Sequence, residues 1–184
     1  MEIIGLLLTT LFAVLFLGGV FIYNALVRDR NRVLAAWSDI SVQLKRRHDL
    51  LPKLVDAVRQ YAAYEQATLS AVVELRTQSE HTSALAEKGR LEMALGAGMR
   101  QLLAVAEQYP ELKASQNFLA LQRDITEVEN HIQYARRYYN GAVRNLNTRI
   151  DSFPDLLLAR LFRYTRHEYF ALESDAERHV PELR

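Results

Sequence analysis

The pattern of apolar and polar positions changes several times along the chain, and each change predicts an element. From Ile3 to Tyr23 no residue is charged, and Leu, Ile, Phe and Val dominate. A helix of that length rises ~30 Å, the thickness of a bilayer hydrocarbon core. Tyr23 stands where an interfacial aromatic belongs. A cleaved signal peptide would start on basic residues, carry a shorter apolar core and end on a small-x-small site. This stretch starts Met-Glu, and the small pair near its end is Gly18-Gly19. The pattern therefore predicts a retained transmembrane anchor over 1–25. Gly18-Gly19 offers close approach to a second anchor, but without the four-residue spacing of the usual packing motif.

Beyond the anchor, apolar residues recur alternately at three and four, which marks one face of a helix. The first stripe is Leu26, Val33, Trp37, Ile40, Leu44 and Leu51, interrupted by Arg30 and Arg47. No Gly or Pro lies between Tyr23 and Leu51, so this helix should leave the membrane without a break. Pro52 is expected to break or kink it. A second stripe holds Leu54, Val58, Tyr61, Leu69, Val72 and Leu75, and the polar run 77–88 is expected to contain the first turn. The third stripe is Leu91, Leu95, Gly98, Leu102, Val105 and Tyr109, ended by Tyr109-Pro110. The fourth is the most regular: Phe118, Leu121, Ile125, Val128, Ile132, Ala135, Tyr139, Ala142 and Leu146, predicting a helix over 116–149. Phe153-Pro154 should stop it, and Asp155 favours a short new helix through the N-terminal dipole. That segment, 153–170, mixes Leu156, Leu157, Leu158, Leu161 and Phe162 with Arg160, Arg163 and Arg166. It is suited to docking on the bundle end, or else to lying on a membrane surface.

No segment alternates with period two. The predicted fold is all-α: an N-terminal transmembrane helix, then an elongated antiparallel four-helix bundle with coiled-coil-like packing and a short C-terminal helix. The expected domains are the anchor (1–25), the bundle (26–170) and a polar tail (171–184). Composition adds exclusions. The chain has 184 residues and a formal net charge of +1, so no global field points to nucleic acid. It has no cysteine, which removes disulfides, thiolate metal sites, cysteine nucleophiles and a lipid-bearing cysteine. Before the span stands only Glu2, whereas Arg28, Arg30 and Arg32 follow it, so the positive-inside bias places the bundle in the cytoplasm.

Candidates for chemistry are weak. Lys45-Arg46-Arg47-His48 could meet an anionic surface, but in a straight helix it would stand ~30 Å from the bilayer, beyond the reach of the surface potential. A solvated face with internal salt bridges is the plainer reading. His48-Asp49 ahead of Pro52 resembles a histidine-kinase phosphoacceptor turn only loosely, with the spacing off by one. The five histidines include no His-x₃-His face, and Glu127-Val-Glu-Asn-His131 is one residue too long for a di-iron motif. No phosphate loop, nucleotide fingerprint or nucleophile elbow occurs. Catalytic residues, metal ligands and cofactors are therefore not expected. Asn130, Asn140, Asn145 and Asn147, with Tyr138 and Tyr139, form either a buried polar network or an ordinary solvated face.

These residues carry a family resemblance. The run YNALVRDRNRVLAAWSDISVQLKRRHDLLPKLVDAVRQYAAYE at 23–65 resembles the LemA family signature. So do the run from Ala104 to Pro154 and YFALE at 169–173. The motif residues are Trp37; Arg46, Arg47, Asp49, Leu50 and Pro52; Tyr109, Pro110, Leu112, Lys113 and Ala114; and Arg136, Arg137, Tyr139 and Asn140. The resemblance implies an elongated helical bundle behind an anchor in a bacterial cytoplasmic (inner) membrane, and it brings no enzymatic activity. One relative is similar to magnetosome membrane proteins, which implies membrane organisation. Other members carry a lipoprotein signal whose cysteine precedes the Tyr-Asn pair, a feature this chain lacks. The expected function is a non-enzymatic scaffold that self-assembles or organises membrane partners. The alternative is an accessory or sensor subunit of a membrane protease or signalling system. The expected partners are the lipid bilayer, further copies of the chain and a membrane protein, with no nucleic acid. Trp37, Arg46, Arg47, Asp49, Pro52, Tyr109, Pro110, Arg136, Arg137, Tyr139 and Asn140 are the candidate interaction residues. Arg136, Arg137, Tyr138 and Arg144 are expected on the outer face of the fourth helix, as side chains of types enriched at interfaces.

Overall fold

The computed structural model describes residues 1–62 and 64–170. The described residues form six helices and no strand: α1 (Glu2–Arg59), α2 (Gln66–His81), α3 (Leu85–Ala106), α4 (Pro110–Lys113), α5 (Gln116–Asp151) and α6 (Asp155–Leu161). The tail 171–184 lies outside the described residues. By contacts the chain divides into two compact units. Unit 1 is Met1–Trp37 with Tyr138–His167; unit 2 is Ser38–Arg137 with the described residues from Glu168 onward.

Unit 1 begins with the apolar stretch of α1, long and apolar enough to cross a membrane, with a mean hydropathy of 2.5 over its best window and none of that window buried. The helix continues into Ala25, Leu26, Val33 and Ala36, which are buried, as are Tyr139, Val143, Leu146 and Ile150 of α5. The two helices run antiparallel here, since Asp29 meets Arg149 while Trp37, further along α1, meets Tyr139, earlier in α5. The short helix α6 follows Pro154 as its sequence predicts and buries Ala159. Asn147 clasps the segment beyond α6: its side chain donates to the carbonyl of His167 at 3.0 Å and accepts from the His167 N–H at 2.9 Å. Asn130 and Asn145 are exposed.

Unit 2 is an antiparallel four-helix bundle built from α1 after Ser38, α2, α3 and α5 up to Arg137. Its core includes Ile40, Leu51, Leu54, Leu69, Leu95, Met99, Leu102, Ile125 and Ile132, all nearly inaccessible. The α2–α3 hairpin pairs Ser79 with Glu92 and Val72 with Gly98. The α1–α5 pair sets Arg46 against Glu127 and brings Lys53 and Asp56 alongside Asp124 and Leu121.

Three expectations are corrected. Of the break or kink expected at Pro52, the break does not occur: α1 runs through it to Arg59. Pro52 is exposed, so water can take the hydrogen bond its missing N–H cannot make, while buried Leu50, Leu51, Leu54 and Val55 hold the helix in place on the other side. The first turn is consequently at 60–65, not within 77–88; the latter run holds the second turn, between His81 and Leu85. The fourth stripe gives the longest helix after α1, as expected, but its buried line passes through Arg136 and Val143 where Ala135 and Ala142 were expected. Pro110 does end the third stripe, and it does so by opening α4 at its first position, where a missing N–H costs nothing.

Candidate functional site

The most chemically loaded place in unit 2 is a cluster of buried charge. Arg47 and His48 are adjacent on α1, Ser79 is on α2, Glu92 on α3 and Glu129 on α5. Arg47, His48, Ser79 and Glu92 are each below a tenth exposed. They are buried because they fall on the apolar stripes of their helices. Glu92 stands in register with Leu95, Met99 and Leu102, and Arg47 with Leu44, Leu51 and Leu54.

Glu92 is the hub. Arg47 donates through Nη1 to Glu92 Oε2 at 2.9 Å and to the Glu92 backbone carbonyl at 2.9 Å. The other carboxylate oxygen, Oε1, lies 2.8 Å from His48 Nε2 and accepts from the Ser79 hydroxyl at 2.5 Å. Arg47 uses Nη2 to donate to Glu129 Oε2 at 2.6 Å. His48 Nδ1 lies 3.6 Å from Glu80 Oε1. Burial alone would push the Glu92 carboxyl up, but the hydrogen bonds from His48 and Ser79 and the Arg47 charge outweigh it and hold the group below its ordinary value. Glu92 is thus an ionised carboxylate locked in place, and four helices are tied together through it and Arg47.

Beside the cluster lies a recess of about 430 Å³, lined among others by Arg47, Glu92, Gly96, Arg100, Glu129 and Arg136. Gly96 keeps it open: a side chain larger than Ala at this position would enter the space next to Arg47 Nη2 and Glu129 Oε2, which lie 3.5 and 3.6 Å from where a Cβ would stand. Arg47 Nε and Glu129 Oε1 are buried there without a hydrogen-bond partner.

The candidate residues read from the sequence are distributed between the units. In unit 2, Arg47 belongs to the cluster. Arg46 is exposed and pairs with Glu127 at 3.5 Å, so the basic run Lys45–His48 is half solvated and half buried, not a solvated face throughout. Asp49 and Pro52 are exposed. Tyr109 occupies the N-cap position of α4 without a side-chain capping bond, and Pro110 opens the helix. Arg136 was expected on the outer face of its helix; it is buried instead, with its guanidinium 5.7 Å from the centre of the Phe170 ring. The stripe repeats at 132, 136, 139 and 143, so a long side chain at 136 points inward and stacks on an aromatic face. Arg137 is exposed and lies over the Tyr134 ring at 4.8 Å. In unit 1, Tyr139 is buried and meets half-buried Trp37 with ring centroids 5.7 Å apart and planes tilted by 60°. Asn140 is half-buried, and Tyr138 and Arg144 are exposed.

Unit 1 has its own ionic cluster, which sequence reading also missed. Asp29, 5% exposed, accepts from Arg149 Nε at 2.7 Å and from Arg32 at 3.2 Å. Arg149 Nη1 donates to Asp155 at 2.7 Å, which ties the start of α6 to α5. Burial would lower the affinity of Arg149 for its proton, but Asp29 and Asp155 more than reverse this. One signal was available for Asp29, Arg47 and Glu92 alike: each is a charged residue at an apolar-stripe position.

A family model described as the LemA family matches residues 36–184. Protein LemA of Metamycoplasma hominis is 33% identical over 135 residues, which cover 71% of this chain and 60% of that protein. Magnetosome protein MamQ 2 of Paramagnetospirillum magneticum is 27% identical over 174 residues, covering 80% of this chain and 64% of that protein. Magnetosome protein MamQ of Magnetospirillum gryphiswaldense is 24% identical with the same coverage. The chain spans 60–64% of the length of these curated relatives. The matched region takes in Trp37, the buried Arg47–Glu92 cluster and the Tyr109-Pro110 helix start, and on that match the chain belongs to the LemA family.

Proposed function

We propose that the protein is a membrane-anchored helical scaffold, performing no chemistry of its own, that self-associates or organises membrane-protein partners. The carrying observation is the first helix. Residues 2–17 are exposed along their whole length, yet the same helix continues without interruption into the buried face of unit 1 at Ala25, Leu26, Asp29 and Val33. Anchor and folded unit are joined by helix and not by a flexible linker, so each copy stands at a fixed orientation to the bilayer. Confinement to one plane raises effective concentration and strengthens weak lateral contacts. Kinship with proteins named for the magnetosome supports a role in organising membrane. The polar groups around Glu92 are occupied in holding helices together, which supports a structural use of the charge.

Light scattering on the full-length chain, in mild detergent and in nanodiscs, tests this reading. A defined oligomer is expected. A monodisperse monomer in both would remove self-assembly and promote the alternative, an accessory or sensor subunit. One observation favours that alternative: the recess beside Arg47 offers buried polar atoms, Arg47 Nε and Glu129 Oε1, to a ligand. A stoichiometric partner retained from native membranes would support it. Arg28, Arg30 and Arg32 support a cytoplasmic bundle in a bacterial inner membrane. A C-terminal alkaline phosphatase fusion should then be inactive and a fluorescent-protein fusion bright; an active phosphatase reverses the sidedness.

A further inference from the structure

Unit 1 exposes a row of large apolar side chains outside the anchor. Around α6, Phe153 is 79% exposed, Leu157 61%, Leu161 71% and Phe162 50%. Their opposite neighbours point inward: Ala159 is buried, and Leu158 reaches to 4.0 Å from where a Cβ on Gly19 would stand. The Phe162 ring packs on Tyr23 with centroids 4.7 Å apart. Gly19 and Tyr23 are the last turn of the uncharged stretch, about 6 Å of helix. Wherever the apolar stretch of α1 leaves a bilayer, α6 is therefore held at that same level, with its exposed apolar side chains beside the boundary.

The charges agree. Among the described residues Arg32, Arg149 and Arg166 have carboxylate partners, namely Asp29, Asp155 and Asp151. Among the described residues Arg28, Arg30, Arg160 and Arg163 meet no carboxylate; Arg28 and Arg30 follow the apolar stretch, Arg160 lies within α6 and Arg163 just after it. Arg163 adopts a left-handed backbone conformation, φ 56°, one residue after the C-cap of α6, a position that favours Gly. The Tyr164 N–H returns to the Ala159 carbonyl at 2.8 Å to close this turn. An arginine in that conformation joins Arg30, Tyr23 and Tyr164 around a recess of about 400 Å³. Apolar side chains surrounded by guanidinium groups that meet no carboxylate among the described residues, at the end of a membrane span, match the boundary between acyl chains and anionic headgroups.

We propose that α6 is a membrane-interface helix, seated with Leu157, Leu161 and Phe162 in the headgroup–acyl boundary of the bilayer that α1 crosses. This rests on the membrane-anchor reading, and the test reads the two separately. The chain contains no cysteine, so a single substitution gives a unique attachment point for a nitroxide. Full-length Leu157→Cys and Leu161→Cys are labelled and reconstituted in nanodiscs containing phosphatidylglycerol. Leu15→Cys serves as the in-membrane reference and exposed Val42→Cys as the aqueous one. Power-saturation electron paramagnetic resonance compares relaxation by oxygen, which concentrates in lipid, with relaxation by a water-soluble nickel chelate. Labels at 157 and 161 should favour oxygen over nickel several-fold more than the label at 42, though less than the label at 15. If 15 reads as lipid while 157 and 161 match 42, the interface helix is overturned and the anchor stands. If 15 also reads as water, both fall. Nickel exclusion at 157 accompanied by spin–spin broadening would show a second copy covering α6, which likewise overturns the proposal.

Discussion

The two ionic clusters solve the same problem in opposite ways. In unit 1 the charge on α1 is an acid, Asp29, and its main partner Arg149 keeps 32% of its side chain in solvent. In unit 2 the charge on α1 is a base, Arg47, and both it and Glu92 retain only 4%. Water can complete the solvation of Arg149. Nothing outside the protein can do so for Glu92, and its two oxygens accordingly collect Arg47, His48 and Ser79. A carboxylate as buried as Glu92 must find its partners within the protein, because a desolvated charge left unpaired costs several kcal/mol. The half-open cluster tolerates an imperfect set. The difference ranks the expected consequences of substitution, and it makes the closed cluster the stronger constraint on helix register.

Glu92→Gln should have the largest effect. It preserves shape while leaving Arg47 and His48 buried against a neutral amide, a change expected to cost ~3–5 kcal/mol. The pH dependence sharpens this. The Glu92 carboxyl titrates lower in the folded protein than the ~4.3 of an unfolded glutamate. Between the two values the unfolded chain binds the extra proton, so stability rises with pH there. The contribution is fully present above about pH 4.3 and is lost as pH falls through the folded value. Urea melts of wild type and variant should differ most near neutrality and converge in acid. A gap that is flat with pH would mean that the charge on Glu92 is not what holds the cluster.

Asp29→Asn comes next. The amide can still accept from Arg149, which also retains Asp155 and water, so about 2 kcal/mol is expected. A cost equal to that of Glu92→Gln would abolish the distinction between open and closed clusters. Trp37→Ala should cost a similar or smaller amount, about 2 kcal/mol, since only part of the ring is buried and a complete aromatic truncation in a core reaches ~3–5 kcal/mol. Trp37→Phe should recover most of it by keeping the tilted contact with Tyr139. Thermal melts of the three variants give the order.

The same contrast explains how much could be read from the sequence. The long apolar helix at the N-terminus, the span of α5, the Pro110 and Pro154 boundaries and the short α6 were legible because each depends on local chemistry: periodicity, a missing N–H, a dipole. The break considered at Pro52 does not occur because the effect of a proline depends on which face of the helix is exposed, and that face is fixed by packing. Trp37 and Ala36 exchanged roles for the same reason. The small residue is fully buried and the large one lies at its edge. The ionic clusters were the least legible. Arg47 read as an interruption of an apolar stripe, because its partner Glu92 is 45 residues away and only the fold brings the two together.

The smallest expected effect tests whether close packing, and not charge alone, holds unit 2. Gly98 is where α3 passes α2, and a Cβ there would stand 2.6 Å from Cγ2 of Val72, closer than real carbon atoms approach. Val72 is buried and β-branched, so it cannot swing aside by a free rotation. Against this strain stands the gain of about 1 kcal/mol from replacing Gly by Ala within a helix. Overpacking typically costs ~1–3 kcal/mol, so Gly98→Ala should come out destabilising by roughly 1 kcal/mol. The decisive measurement is the double variant with Val72→Ala. Removing the two methyl groups opens the space for the new Cβ, so the two changes should be less damaging together than the sum of their separate effects. Strict additivity would mean that α2 and α3 part easily at this crossing, leaving the Ser79–Glu92 contact as the principal tie between them.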